Sequence, residues 1–358
     1  MHCACTLAHA GDGRVSEEAR ESRGDDDAVA PLPIDLLPWH AAACDKLSAA
    51  VVAGRLPHGL LLQGPAGVGK ERFASALAAA LFCTGKGDRL EACGRCAECQ
   101  LSHAGNHPDM HWLRPLEDKK SIGVDQVRET CERLGMTSMR SGYRVAVIVP
   151  ADKMTPAAQN ALLKTLEEPS PRTLLVLVTA RPSALLATLR SRCQRVEIAR
   201  PDSAIALRWL AESLGKVPSP RLLPLAGGAP LKALALAPYF DDLEQQMSGL
   251  LEAYLSGQID VTRAAADMQG EGLHSRLDWL ESWLGAALQQ AAGVTDENPL
   301  TFRPGSPLQR AAAELNITAA FQVMDRLREA RRLLEGSASA PLVVETVLLE
   351  LRVASRPR

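Results

Sequence analysis

Aromatic side chains are scarce in this chain, 4% of its residues, and no apolar run reaches the roughly 20 residues of a bilayer-spanning helix. That second absence excludes a membrane-spanning helix. Charge of one sign is lacking as well: 40 Lys and Arg face 42 Asp and Glu, a net charge of -2. No overall positive field draws nucleic acid, so any such contact has to come from a local patch. An N-terminus without an export signal is expected. From Met1 to Ala30 it runs through Gly, Ser, Glu and Asp25-Asp26-Asp27 without a hydrophobic stretch, which reads as a disordered extension over residues 1–33. A cytoplasmic location is expected, where thiols stay reduced and clustered cysteines favour metal. Cys3 and Cys5 in the extension are incidental thiols. There is no fixed-period repeat, and no acidic constellation of the kind that two-metal nucleotidyl transfer needs.

What is present is a 358-residue chain, 46% hydrophobic and rich in Ala and Leu. It is long enough for two or three domains and leans toward helix. Short apolar runs at residues 58–63, 110–113, 144–149, 173–178 and 195–198 read as buried strands. Helical patterns fill the spaces between them, with Ser121 as a cap for residues 122–134 and Pro169 and Pro171 closing residues 157–168. Strands alternating with helices predict an α/β fold with a parallel five-stranded sheet covered on both faces. Beyond Arg200-Pro201 the pattern is helical only. Residues 203–214 and 219–236 form a small unit, with Ser219 as a cap and Pro220 at the first helical position. A larger helical region follows from residue 241, interrupted at 298–307.

Gly64-Pro65-Ala66-Gly67-Val68-Gly69-Lys70-Glu71 follows a predicted strand and opens a predicted helix, the context a phosphate-binding loop requires. Gly64, Gly67 and Gly69 let backbone N–H groups curl around phosphates, and Lys70 reaches the terminal ones. Glu71, however, stands where a Ser or Thr hydroxyl coordinates Mg²⁺. The expected acidic residue at the end of the 144–149 strand is also missing: the chain reads Val149-Pro150-Ala151, and Asp152 falls off the strand end as a helix cap or turn residue. Two readings stand, a loop that holds ATP and an empty relic; hydrolysis is not expected from either.

Cys83, Cys93, Cys96 and Cys99 are spaced C-x9-C-x2-C-x2-C. Two-residue gaps let one turn present successive thiolates to a single ion, and four thiolates suit tetrahedral, structural Zn²⁺. Cys44, Cys131 and Cys193 lie on apolar or mixed segments and read as packing residues.

Asn160-Ala161-Leu162-Leu163-Lys164-Thr165-Leu166-Glu167-Glu168-Pro169, then Thr179, then Ser191-Arg192-Cys193, resemble the clamp-loader branch of the AAA+ family over about residues 35–240. The resemblance implies an AAA+ P-loop domain over 34–200 with its cysteine insertion at 83–99, a small helical lid domain over 201–240 and an all-helical C-terminal collar over 241–358. It implies that Arg192 is an arginine finger projected into a neighbour's ATP site and that Thr179 is the sensor-1 polar residue. The sensor-2 arginine falls near Leu231, which is apolar, with Lys232 beside it. Implied partners are gamma/tau and delta clamp-loader subunits, with the sliding clamp and primed DNA inside the complex, and no membrane. DNA phosphates would be met near Ser121-Ile122-Gly123, Lys119 and Lys120. The missing Mg²⁺ ligands beside an intact finger position point to a non-catalytic assembly subunit, any polymerase activity belonging to the holoenzyme. Its alternatives are an ATP-hydrolysing motor of gamma/tau type and a zinc-dependent DNA-binding protein, the latter disfavoured because the cysteine module lacks a basic, aromatic flank.

Overall fold

The computed structural model describes residues 32–85, 90–140, 142–293, 307–334, 336 and 338–355. Residues 1–31 of the expected N-terminal extension, with Cys3 and Cys5, and nearly all of the 298–307 interruption lie outside these residues; the last two of the extension, Leu32 and Pro33, are ordered, and Leu32 N–H donates to His103 O at 2.8 Å.

Five strands form one parallel sheet: β1 (Gly59–Gln63), β2 (Met110–Leu113), β3 (Arg144–Ile148), β4 (Thr173–Thr179) and β5 (Gln194–Glu197), in the order β2-β3-β4-β1-β5. Alternation along the central strands feeds two cores. Leu60, Leu62, Val145, Val147, Val176 and Val178 face α1 (Ala41–Val52) and α2 (Lys70–Phe82). Leu61, Ala146, Ile148, Leu175 and Leu177 face the opposite layer. Buried on both sides, these strands are apolar throughout, which is why the sequence shows runs rather than alternation. The second layer holds α4 (Val124–Gly135), α5 (Pro156–Glu167) and α6 (Ala187–Arg192), while α3 (Ala97–His103) packs beside α2.

From Ser203 onward the described chain is helical: α7 (Ser203–Leu214), α8 (Leu222–Leu225), α9 (Pro230–Leu236), α10 (Phe240–Leu255), α11 (Val261–Asp267), α12 (Leu273–Ala291), α13 (Pro307–Ala313), α14 (Ile317–Leu334) and α15 (Ala340–Ala354). Residues from Ala206 to Ala354 share one apolar core, with Tyr254, Trp279 and Trp283 among its largest fully buried side chains. Two of these polar tips are bonded inside the core: Tyr254 Oη donates to Leu348 O at 2.8 Å, and Trp279 Nε1 donates to Glu244 at 3.0 Å.

Local differences from the sequence reading have simple causes. Ser121 does not cap α4. Gly123 is the N-cap, and Gln126 reaches back to accept from its N–H at 3.1 Å; Ile122 is instead buried in a bridge to Met154. Residues 219–236 are two short helices rather than one, because Gly227 and Gly228 take φ of 65° and 74° between them. Ser219 accepts from Arg221 N–H instead of capping a longer helix. Thr155, not Asp152, caps α5, accepting from Ala158 N–H at 3.2 Å.

The segment entering α1 fastens the phosphate loop from behind. His40 is fully buried; its Nδ1 accepts from Leu37 N–H at 3.2 Å, leaving Nε2 as the donor to Val68 O at 3.3 Å. Burial, opposed by that Val68 bond, lowers its pKa from 6.5 to about 4. A depressed histidine contributes stability that is complete above the unfolded pKa and is lost as pH falls through the folded one. Stability is therefore expected to drop by on the order of 3 kcal/mol between pH 6.5 and 4 through this residue. Urea melts of wild type and His40→Gln across that window check it: the difference between the two should narrow as pH falls.

Candidate functional site: a degenerate phosphate loop, a cysteine cluster and an exposed arginine

The phosphate loop leaves β1 and enters α2 at the carboxyl ends of the strands, where open parallel sheets place their ligands. Its shape depends on close backbone approach. A Cβ at Gly64 (φ 149°) would stand 2.1 Å from Ile198 O; one at Gly67 (φ 77°) would stand 2.8 Å from Lys232 Cβ. Loop carbonyls are bound on their outer side by the protein itself. Pro65 O accepts from Lys70 Nζ at 2.5 Å, Gly67 O from Leu231 N–H at 3.0 Å, and Val68 O from Trp39 Nε1 at 2.9 Å. Leu231, near which the resemblance implies a sensor-2 arginine, thus serves the loop through its backbone, and Lys232 turns away to Asp278 at 2.6 Å.

The loop lines a cavity of about 660 Å³ together with Glu71, Arg72, Ser75, Trp112, Pro150, Asp152, Thr179 and Arg181. Lys70 is buried there, and burial lowers its pKa against the pull of Glu71 and Asp152. Both carboxylates near the loop are committed. Glu71 pairs with Arg114 at 2.8 Å. Asp152, 5% exposed in its side chain, accepts from Thr179 Oγ1 at 2.7 Å and from Arg181 Nη2 at 3.0 Å. The strand end itself offers Val149 and Pro150, which have no metal ligand. The residues fit a phosphate-binding loop; they do not fit the Mg²⁺ set that hydrolysis requires.

Arg192 ends α6, immediately before β5, and its side chain is 36% exposed. In the single chain it pairs with Glu167 at 2.6 Å and donates to Thr188 O at 3.0 Å. Both contacts lie near the surface, where ion pairs exchange readily for a stronger partner.

Cys83, Cys93, Cys96 and Cys99 converge, with all four sulfurs within 4.8 Å of one another. Cys93 to Cys99 and Cys96 to Cys83 are each 3.9 Å. That is far beyond a disulfide bond of about 2.05 Å. It matches the edge of about 3.8 Å that a tetrahedron of thiolates has at a metal–sulfur distance of about 2.3 Å. Backbone N–H groups of Cys93 and Cys96 approach Cys83 Sγ and Cys93 Sγ at 3.4 Å, favouring thiolate character. The four form a cluster able to hold a metal ion.

Sequence reasoning missed three contacts. Asp152 reads as a turn residue because Thr179 and Arg181 lie 27 and 29 positions away. Arg114 carries no motif, although its guanidinium sits 5.1 Å over the Trp112 ring and pairs with Glu71. Glu98, between two cysteines, is buried against His107 and Arg140.

A parallel sheet with the phosphate loop at its strand ends, a cysteine cluster after the loop helix and an all-helical C-terminal part is the architecture that the clamp-loader resemblance implies. Residues 39–202 match the family described as DNA polymerase III, delta subunit. The DNA polymerase III subunit delta' of Pseudomonas aeruginosa is 38% identical over 255 residues, covering 70% of this chain and 76% of that protein. The Escherichia coli subunit delta' is 38% identical over 261 residues, covering 72% and 77%. The subunit gamma/tau of Mycobacterium tuberculosis is 33% identical over 343 residues, covering 87% of this chain and 56% of that protein. The chain belongs to the delta' family of DNA polymerase III subunits.

The cluster is expected to bind about one divalent ion per chain with apparent folding-coupled energy on the order of 10 kcal/mol. Elemental analysis of the purified chain checks it, and Cys96→Ser should lose the ion while the C-terminal helices keep their melting behaviour. Metal-free protein with disulfide-linked cysteines would contradict it.

Proposed function

We propose that this chain is the non-hydrolysing delta' subunit of a DNA polymerase III clamp loader. In that role it supports ATP-dependent loading of a sliding clamp onto primed DNA beside gamma/tau and delta subunits. The observation that carries the reading is the fate of the two carboxylates at the phosphate loop. Glu71 is bound to Arg114 and Asp152 to Arg181 and Thr179, so neither is placed to take Mg²⁺ with a nucleotide. The ion in the cysteine cluster is structural Zn²⁺, since four protein thiolates leave no position for substrate. Gly64, Gly67, Gly69, Lys70 and Thr179 are the remnant of a nucleotide site. Arg192 acts in trans as an arginine finger at the neighbouring ATP site, exchanging Glu167 for phosphate oxygens with its planar fork. The division into a P-loop domain over 34–200, a lid over 201–240 and a collar over 241–358 belongs to the same reading.

The isolated chain is expected to show no ATP turnover above background, and Glu71→Thr alone should not create any, because the strand end still lacks an acid. Robust turnover abolished by Lys70→Ala would instead mark a motor subunit.

Arg192→Ala should leave folding, metal content and assembly unchanged while slowing hydrolysis at the one bordering site by about 10³–10⁵. Arg192→Lys should rescue poorly, since an ammonium keeps the charge and loses the bidentate geometry. The measurement is single-turnover hydrolysis in reconstituted loaders with only the bordering motor site competent. A wild-type rate there would reduce Arg192 to a structural ion-pair residue.

A further inference from the structure

The cysteine cluster sits away from the phosphate loop and from Arg192, and a structural ion by itself explains only the folding of its own insertion. The side chain between its last two ligands points to a wider role. Glu98 lies on α3, after the N-cap Cys96 and directly before Cys99, and is buried. Its carboxylate takes a forked pair from Arg140, with Nη2 to Oε1 at 2.9 Å and Nε to Oε2 at 3.1 Å. It also accepts from His107 Nε2 at 3.1 Å. The tautomer follows from the other ring nitrogen: His107 Nδ1 accepts from Asp109 N–H at 3.2 Å, so Nε2 carries the proton.

Asp109, 2% exposed, lies two residues beyond His107 and closes the circuit. Its carboxylate accepts from Met139 N–H at 2.7 Å, Arg140 N–H at 2.9 Å and Ser138 Oγ at 3.0 Å. Ser138 Oγ in turn accepts from Gly142 N–H at 2.8 Å. His107 is stacked on Phe82, with ring centroids 3.8 Å apart and planes 6° from parallel, and Phe82 immediately precedes the ligand Cys83. Both ends of the cysteine cluster therefore press on His107 and, through Glu98, on one loop. That loop is exposed where it faces solvent, with Met136 and Met139 at 62% and 77%. An exposed loop of this kind is ordinarily among the least protected parts of a fold, yet here two consecutive backbone N–H groups end on one buried carboxylate.

We propose that Glu98 is a positioning residue through which the four-cysteine module braces the loop 136–140, so that occupancy of the cluster sets the order of that loop. The cluster is then more than a local fold element. A metal-loaded module holds α3 in the register that presents Glu98 to Arg140 and His107. A module without its ion releases α3, and with it the fork on Arg140 and the donor partner of His107. A thiol oxidant or chelator acting at the cysteines is thereby read out at a surface loop that contains none of them.

The metal-dependent half of this rests on the metal reading given above; the Glu98 half does not, and the test separates the two. Hydrogen exchange is measured on the full chain at the Met139, Arg140 and Gly142 amides, with metal content determined on the same samples. Glu98→Gln loses the charge and one of two acceptors, and is expected to keep the ion while these amides exchange about tenfold faster. Arg140→Gln, at a partly exposed position, should do the same without touching the module, and the double variant should add little to either single one. Stripping the ion with a chelator should accelerate the same amides as well as residues 92–103. If Glu98→Gln and Arg140→Gln leave the three amides at the wild-type rate, the brace does not exist. If chelation frees residues 92–103 while the three amides stay protected, the coupling to the cluster is wrong. A chain purified without metal overturns the metal reading and the dependence on occupancy together, and the two variants still decide the brace.

Discussion

The outward-facing carbonyls of the phosphate loop are the joint on which this molecule is assembled. A phosphate loop turns its N–H groups inward, which leaves its carbonyls pointing back into the protein, where each needs a donor. The donors come from three places far apart in sequence. Lys70 belongs to the loop's own helix, Trp39 and His40 to the entering segment, and Leu231 to α9 in the helical part. One loop thus orients the sheet, the N-terminal segment and the first helices after the sheet, whether or not a phosphate is ever present. Edge-to-face contact between Trp39 and Trp209 of α7, 5.4 Å between ring centroids, reinforces the same joint.

Packing alone accounts for the glycines of the loop. At Gly67 any Cβ meets Lys232 and Ala229, and at Gly64 it meets the Ile198 carbonyl. These are demands of packing, independent of nucleotide. Glu71 is under no such demand, because its side chain is half exposed and finds Arg114 outside the loop. The packing demands of the loop are thus separable from the demands of metal binding.

Much of this was legible from the residues alone. Five strands read as apolar runs because both faces of each are buried, and all five lie within a residue or two of where they were expected. The spacing of Cys93, Cys96 and Cys99 announced a sulfur cluster, since neighbours separated by two residues are spatial neighbours, and Cys83 joins them from the end of α2. What stayed hidden were pairings across long separations. Nothing in Val149-Pro150-Ala151-Asp152 shows that Asp152 will turn back to Thr179 and Arg181, because that contact is set by the packing of β3 against β4. Glu98, between two cysteines, carries no signal in the sequence, because its partner Arg140 lies 42 residues on.

The pairing of Arg181 with Asp152 carries a consequence for how such a site responds to its surroundings. Where a carboxylate at a strand end holds a divalent ion, that ion exchanges with solvent, competes with other metals and leaves with its nucleotide. Here the counter-charge is a guanidinium on the same chain, anchored two residues past β4 and bonded to both the carboxylate and its neighbourhood. It has no dissociation constant and no exchange rate, and its charge does not vary over physiological pH. At Asp152 the compensating positive charge is therefore part of the chain itself.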